Sequence, residues 1–343
     1  MTGVLISAGA RSRDARARII LAFFIVATVL AALIAVTLGS YPMTFGDVVR
    51  TVATPKENDV LRTIIVDVRL PRIMLAILSG MAMALSGVVL QVLTRNSLAA
   101  PGLVGVEAGA GTAVLLAMIV WRSDVSIELY PIAAFIGGVS VALLIAALSW
   151  NSGVSPLRLI LVGVGITAIL SAVADTMITY GRIDQVESAL LWLAGSLHHA
   201  GWGNVRGQFL WLMLSGIPVL VLCRHFDLFQ LGEAVASSRG LDTGRFQFFA
   251  LLFSVMLTAS AVANVGTMSF IGLLAPHAAR LLVGDRHRFL LLLTGVMGAL
   301  IVLVGDTVGR TLFAPLQIPA GLVVAVIGAP YLLFLLSRRG HSR

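Results

Sequence analysis

One cysteine and one lysine occur among the 343 residues, and only 12% of the side chains are charged. The cysteine, Cys223, excludes an intrachain disulfide and any metal site built from cysteines. It reads as a small buried hydrophobe near the end of a span. The lysine, Lys56, stands in "TPKEND", so the chain has no G-x-x-x-x-G-K-[ST] loop and cannot be a P-loop ATPase by itself. No HExxH occurs, and the six histidines lack ligand spacing apart from the adjacent His198 and His199. In "LAGSLHH", Ser196 lies two residues from His198, a spacing that rarely builds a nucleophile and its base. Acids are few, and Glu107, Asp175 and Asp306 fall near the ends of apolar runs, which reads as capping or interhelical bonding. An ion-coupled carrier working alone would place them near the midplane, beside broken helices.

Apolar surface is what the chain has in excess. It is 58% hydrophobic with a mean hydropathy of +0.99, more than a water-facing exterior allows. Apolar runs at 19–39, 73–94, 102–121, 130–150, 158–180, 207–223, 247–264, 267–283, 289–308 and 318–337 predict about ten transmembrane helices, because lipid cannot satisfy open backbone. The stretch 246–283 would be roughly 57 Å long as one helix, so it is split at the turn signal 264–266. No clear cleavage site follows 19–38, which reads as a span and not a signal peptide. The glycines of "GVEAGAG" at 105–111 open a membrane helix and suit close packing, not phosphate binding.

An even number of spans puts both termini on one side. Taking that side as cytoplasmic places fifteen of the 24 basic residues inside, as the positive-inside rule requires. The net charge of +8 is carried by arginines flanking spans and not by a continuous stripe, which argues against nucleic acid. The chain divides into a basic cytoplasmic tail (1–18), a membrane domain (19–337) and a second basic tail (338–343). Two features stand out from this plan. The outside segment 40–72 carries Arg50, Lys56, Arg62, Arg69 and Arg72, serving either as snorkelling anchors or as a surface for an acidic partner. A polar island, "LGEAVASSRGLDTGRF" at 231–246, falls on the cytoplasmic side.

Five stretches, in order, carry a family resemblance: "RLPRIMLAILSGMAMALSGVVLQVLTRNSLAAPGLVGV", "ALLWLAGSL", "LGEAVASSRGLD", "SFIGLLAPHAARLLVGDRHR" and "GDTVGRTLFAPLQIPAGLVVAVIGAP". From about residue 40 to 337 the chain resembles permeases of the iron–siderophore and cobalamin ABC importers. The resemblance implies an all-α membrane protein, a polytopic bundle of about ten transmembrane helices with a re-entrant helix and a cytoplasmic coupling helix. It implies two permease subunits (identical or homologous), two ATPase subunits that hold ATP and magnesium, and an extracytoplasmic substrate-binding protein. The location implied is the bacterial inner membrane, with no cofactor bound by this chain.

Site residues follow from the same resemblance. Leu231, Gly232, Glu233, Ala234, Ala236, Ser237, Ser238, Arg239, Gly240 and Leu241 match the coupling helix that docks into the ATPase. Its small residues make a slim helix, Gly240 suits a left-handed end, and Glu233 and Arg239 suit the helix dipole. Ser155, Pro156 and Leu157 match the cytoplasmic gate in "NSGVSPLRL", and 181–205 matches the re-entrant segment. Arg69, Arg72 and Arg310 match positions that meet acids on the binding protein. Ser97, Ala100 and Glu107 depart from the family pattern, where proline, an acid and a small residue are usual. The expected cargo is a ferric siderophore, with haem or cobalamin as alternatives. An ion-coupled carrier and an intramembrane enzyme are rivals from other classes, the latter disfavoured by the missing motifs.

Overall fold

Helix is the element in which an apolar segment satisfies its own backbone, and helices dominate the computed structural model, which describes residues 2–39, 41, 43–53, 59–120, 129–150, 155–312, 314 and 316–339. In chain order they are α1 (Thr2–Thr37), α2 (Phe45–Ala53), α3 (Val60–Leu93), α4 (Val106–Ile119), α5 (Tyr130–Ser149), α6 (Pro156–Tyr180) and α7 (Ile183–Leu193). Then follow α8 (Trp202–Val221), α9 (Cys223–Gln230), α10 (Glu233–Ser238), α11 (Thr243–Val265), α12 (Ile271–Val283), α13 (His287–Thr311) and α14 (Ala320–Arg339). Six of these, α1, α3, α5, α6, α11 and α13, contain stretches long and apolar enough to cross a membrane. The pair α8 and α9 is bent by 52°. The runs predicted as spans at 102–121 and 267–283 are shorter as helices. A 3₁₀ turn, Pro101–Val104, takes the start of the first, and Phe270, left-handed at φ 72°, delays the second. The predicted break at 264–266 is present, with α11 ending at Val265 and Gly266 at φ 73°. No proline interrupts residues 2–41, and the predicted basic tail continues into the first span as the single helix α1.

The core is built around α3, whose apolar window is 83% buried. Two close backbone approaches place α13 and α12 against it. A Cβ on Gly80 would lie 2.3 Å from the Gly298 carbonyl oxygen, and a Cβ on Gly87 would lie 1.9 Å from that of Gly272. In lipid, where no hydrophobic force drives helices together, such contacts supply the dispersion energy of packing. A polar contact adds to it where α3 meets α11: the Ser86 hydroxyl lies 2.8 Å from that of Ser254 and 2.6 Å from that of Thr258.

Two of the irregular turns have a common cause. The π segments Ile64–Arg69 and Leu212–Gly216 each stand just before a proline, Pro71 and Pro218. Proline removes one N–H and crowds the preceding turn, and the ladder widens to absorb it. Leu70 N–H accordingly reaches back to the Ile65 carbonyl, and the carbonyl of Val66 is taken by the indole N–H of Trp202 at 3.0 Å. A neighbouring helix thus supplies the donor that the wound chain withheld.

The close approaches predict an asymmetry among glycines. Gly80→Val forces α3 and α13 apart and is expected to abolish recovery of folded protein in detergent. Gly207→Ala, where nothing lies within 4 Å, is expected to leave the melting temperature unchanged or slightly raised. Thermal melts of the two purified variants check this, and equal stability would refute the packing account.

Candidate functional site

The polar island forms a short, exposed helix. Gly232, at φ 115°, makes the entry turn to α10. At its other end the Leu241 N–H donates to the Ala236 carbonyl (3.1 Å) and the Gly240 N–H to that of Ser237 (2.9 Å). With Gly240 at φ 85°, this is a Schellman ending, which closes a helix of six residues abruptly. Glu233, Ala234, Ser237, Ser238 and Arg239 are exposed, as is Leu231. Ala236 departs from expectation: it is fully buried, so it belongs to the seat of the helix and not to its presenting face. Val235, absent from the predicted set, is exposed instead.

Beneath α10 lies an aromatic seat. Phe226 and Phe229 of α9 pack against Phe246 of α11 at ring separations of 5.3 and 5.2 Å. Arg95, from the loop after α3, lies over the Phe229 ring at 5.4 Å and reaches Glu233 at 3.9 Å. The buried ring of His287 at the start of α13 sits 5.6 Å from Phe226, with Nδ1 2.7 Å from Oδ1 of Asp227. Elements far apart in sequence therefore meet under α10, which is why sequence pattern revealed α10 but not its seat.

Ser155, Pro156 and Leu157 open α6. Ser155 takes the N-cap place, its carbonyl accepting from the Leu159 N–H at 2.9 Å, and Pro156 follows at the first helical position. Leu157 is 69% exposed. Residues 151–154 of the same motif lie outside the described residues. At helical spacing, Leu157 and Leu161 share a face of α6 with Gly165, Ala168, Ala172, Asp175 and Thr179, all exposed. Asp175 was expected to cap a helix or bond between helices, but its carboxylate has no hydrogen bond or ion pair among the described residues.

In the segment 181–205, which the resemblance matches to a re-entrant element, α7 has 11 residues and is followed by Gly195 at φ 76°. Three backbones converge there. A Cβ on Gly195 would lie 2.2 Å from the Thr267 carbonyl oxygen, one on Gly266 2.1 Å from that of Trp192, and one on Gly321 2.4 Å from that of Ala194. Gly321 N–H also donates to the Gly195 carbonyl at 2.9 Å. A cleft of about 690 Å³ runs alongside, lined by residues that include Thr179, Glu187, Leu190 and Pro319.

The arginines expected at an open rim are instead built into the bundle. Arg69 is 4% exposed and Arg310 6%. Helix α1 ends with four carbonyls that have no backbone N–H partner within the helix. The Ile34 carbonyl accepts from Leu38 N–H, that of Ala35 from Arg310, that of Val36 from Arg69, and that of Thr37 from Met43 N–H. Arg69 also donates to the Tyr41 carbonyl and Arg310 to that of Leu38 at 3.0 Å. Two cations at a helix C-terminus also complement its dipole. Arg72 makes a forked contact with Asp306, Nε at 3.0 Å from both carboxylate oxygens and Nη2 at 2.8 Å from Oδ1, and a further bond to Gln317 at 3.0 Å. Asp306, read as an interhelical bond, is one: it joins α3 to α13 and also faces Arg310 at 3.7 Å.

This geometry reverses the energetic expectation for the arginines. An exposed rim pair contributes only about 0.2–1 kcal/mol, whereas removing one partner of a buried pair costs about 3–5 kcal/mol. Asp306→Ala is therefore expected to lower stability strongly, and Asp306→Ala with Arg72→Met to recover part of the loss. Denaturation of the three proteins in detergent checks it; an Asp306→Ala protein as stable as wild type contradicts the burial of this pair.

Residues 25–338 match the FecCD transport family. The achromobactin transport system permease protein of Dickeya dadantii is 38% identical over 278 residues, covering 81% of this chain and 80% of its own. The hemin transport system permease protein of Yersinia pestis is 34% identical over 330 residues, covering 95% of this chain and 97% of its own. Among solved structures, a metal-chelate-type ABC transporter in an inward-facing conformation superposes with a TM-score of 0.83 at 30% identity, over 93% of this chain and 99% of that one. With the match spanning nearly the whole described bundle, the chain belongs to the FecCD transport family.

Proposed function

We propose that this protein is the membrane permease of an ATP-driven importer of ferric chelates, siderophores foremost. In this reading all ten apolar segments cross or enter the membrane, both termini are cytoplasmic, and α7 is the re-entrant helix beside the path. The observation that carries the reading is α10, a short polar helix with glycines at both ends, presented on the side where the positive-inside rule places the cytoplasm. A helix of that form fits a cleft on a partner, and a chain without a P-loop needs a partner to hydrolyse ATP.

A second copy of this chain, or a homologue, is the occupant proposed for the exposed face of α6. Asp175, Thr176 and Thr179 on that face are costly against lipid but acceptable along a water-filled path between two subunits. Leu157 and its counterpart would close that path at the cytoplasmic end. At the opposite end two guanidinium groups, of Arg72 and Arg310, meet one carboxylate, Asp306, and a third, of Arg69, is bonded to the end of α1 nearby. Their surplus positive charge is proposed to attract an acidic extracytoplasmic binding protein at long range, while the groups themselves stay bonded within the chain.

Coupling is tested on the presenting face of α10. Val235→Arg or Ser238→Trp is expected to abolish ATP-dependent uptake and ATPase co-purification while leaving the melting temperature unchanged. Full uptake in either variant removes α10 from the interface. The importer reading as a whole is separated from an ion-coupled carrier by proteoliposome uptake with and without the ATPase, since a carrier would need only an ion gradient.

Haem is the second cargo reading, favoured by one feature. His198 and His199 are exposed in the loop after α7 with their rings 5.2 Å apart, and a hemin permease is among the relatives. Partial burial and the neighbouring His198 hold the His199 imidazole below its ordinary pKa, which favours the neutral, ligating form at pH 7. If the cargo is a saturated ferric chelate, His198→Ala with His199→Ala is expected to reduce uptake about twofold at most, since such a chelate has no free coordination site. Complete loss, with haem as the transported compound, would establish the haem reading instead.

A further inference from the structure

Between α5 and α11 lies a groove of about 400 Å³, to which no residue of α6, α7 or α10 contributes. Ala142 and Ala146, four residues apart on one face of α5, leave room that larger side chains would fill. Phe248, Leu252 and Val255 form the α11 wall at helical spacing. Trp150, just past the end of α5, stands at the end predicted to be cytoplasmic, its ring edge to face with that of Phe248 at 6.1 Å. Of the lining side chains, only that of Trp150 carries a polar atom, so the groove has nothing to hold water or a polar chelate. Leu144, Leu148 and Phe249 beside it are exposed apolar side chains, the surface a membrane covers.

The end of the groove has a different chemistry. Arg245 stands one turn before Phe248 on the same face of α11. Its backbone N–H donates to Oδ1 of the N-cap Asp242 at 3.0 Å, and its Nε lies 3.1 Å from Oδ2. No other acid pairs with Arg245 among the described residues, and its side chain is 84% exposed. Asp242 offsets the net charge, so what the arginine offers an anion is its remaining N–H donors. The Trp150 indole N–H likewise has no acceptor among the described residues. From Phe248 to Val255 the groove follows α11 for about 10 Å, within the roughly 15 Å of hydrocarbon in one leaflet. Apolar groove, tryptophan and cation thus follow one another in the order of acyl chain, interface and head group.

We propose that this groove is a lipid site: one acyl chain of an anionic glycerophospholipid lies between α5 and α11, with its phosphate at Arg245 and the Trp150 indole at the interface. The inference goes beyond the importer reading and requires only that the chain spans a membrane. Charge complementarity selects the occupant. A phospholipid fills the apolar groove and supplies the anion in one molecule, as head groups do in basic pockets between membrane helices. A second copy of this chain would fill the groove and leave Arg245 without an anion.

Native mass spectrometry of the full-length permease in detergent tests the site, with phosphatidylglycerol and phosphatidylcholine of identical chains as probes. Wild type is expected to retain one phosphatidylglycerol about fivefold more strongly than phosphatidylcholine, the preference one cation near a head group provides. Arg245→Gln is expected to remove that preference. Ala146→Phe, which fills the groove, is expected to weaken retention of both lipids about tenfold, the worth of roughly two buried methylenes. Arg245→Gln changes an exposed side chain and decides the head-group contact even where the bulky variant does not fold. Equal retention of the two lipids by wild type, or an undiminished preference in Arg245→Gln, overturns the site. So does full retention of phosphatidylglycerol by folded Ala146→Phe. A dimer that is lost in Ala146→Phe assigns the groove to a second copy and overturns the lipid site as well.

Discussion

Asp306 meets two arginines from different helices, and the end of the bundle predicted to face outward is organised around that carboxylate. Arg72 binds it from α3 through a forked contact, and Arg310 faces it from its own helix. Arg310 is thereby held where its remaining donors reach the carbonyls that close α1, and Arg69 completes the same closure. Three helices distant in sequence are joined without a hydrophobic driving force, which lipid would not supply. Gly39 contributes by what it lacks: at φ 148° it lets both guanidinium groups approach, and a Cβ there would lie 3.1 and 3.2 Å from their nitrogens.

The same constraint explains the irregular turns within the helices. A proline in a membrane helix frees a carbonyl that water cannot reach, so the chain has to provide a donor. Trp202 does this for Val66, tying α8 to the π segment of α3 that also carries Arg69. At the opposite end, α10 obeys the rule of an aqueous surface instead. It ends by a Schellman turn, leaves polar side chains exposed, and rests on Phe226, Phe229 and Phe246. Helix α13 runs between the two ends, with His287 beside that aromatic seat and Asp306 and Arg310 at the far end.

Periodicity and composition made much of the architecture legible. Apolar runs marked the membrane segments, glycine and asparagine marked the break at 264–266, and the polar island at 231–246 marked α10 with its left-handed Gly240. These are local properties: the length of an apolar run, a positive φ and a polar interruption each depend on a few adjacent residues. The arginines were harder to place. Charge near a span end looks the same in sequence whether it faces water or a helix terminus, and only folding brought the α1 carbonyls and Asp306 to Arg69, Arg72 and Arg310.

The sequence by itself therefore determined that this chain inhabits a membrane, lacks a P-loop, and carries a short polar helix between apolar segments. Tertiary structure decided which polar groups are satisfied and which are not. Ala236 is buried, although its neighbours on α10 are exposed. Asp306 is paired with arginine while Glu107 has no ion pair among the described residues, although both stand near the ends of apolar helices. The physical reason is that a charge is paired by neighbours in space, and helices some two hundred residues apart in sequence supply those neighbours at Asp306, whereas among the described residues none pairs Glu107.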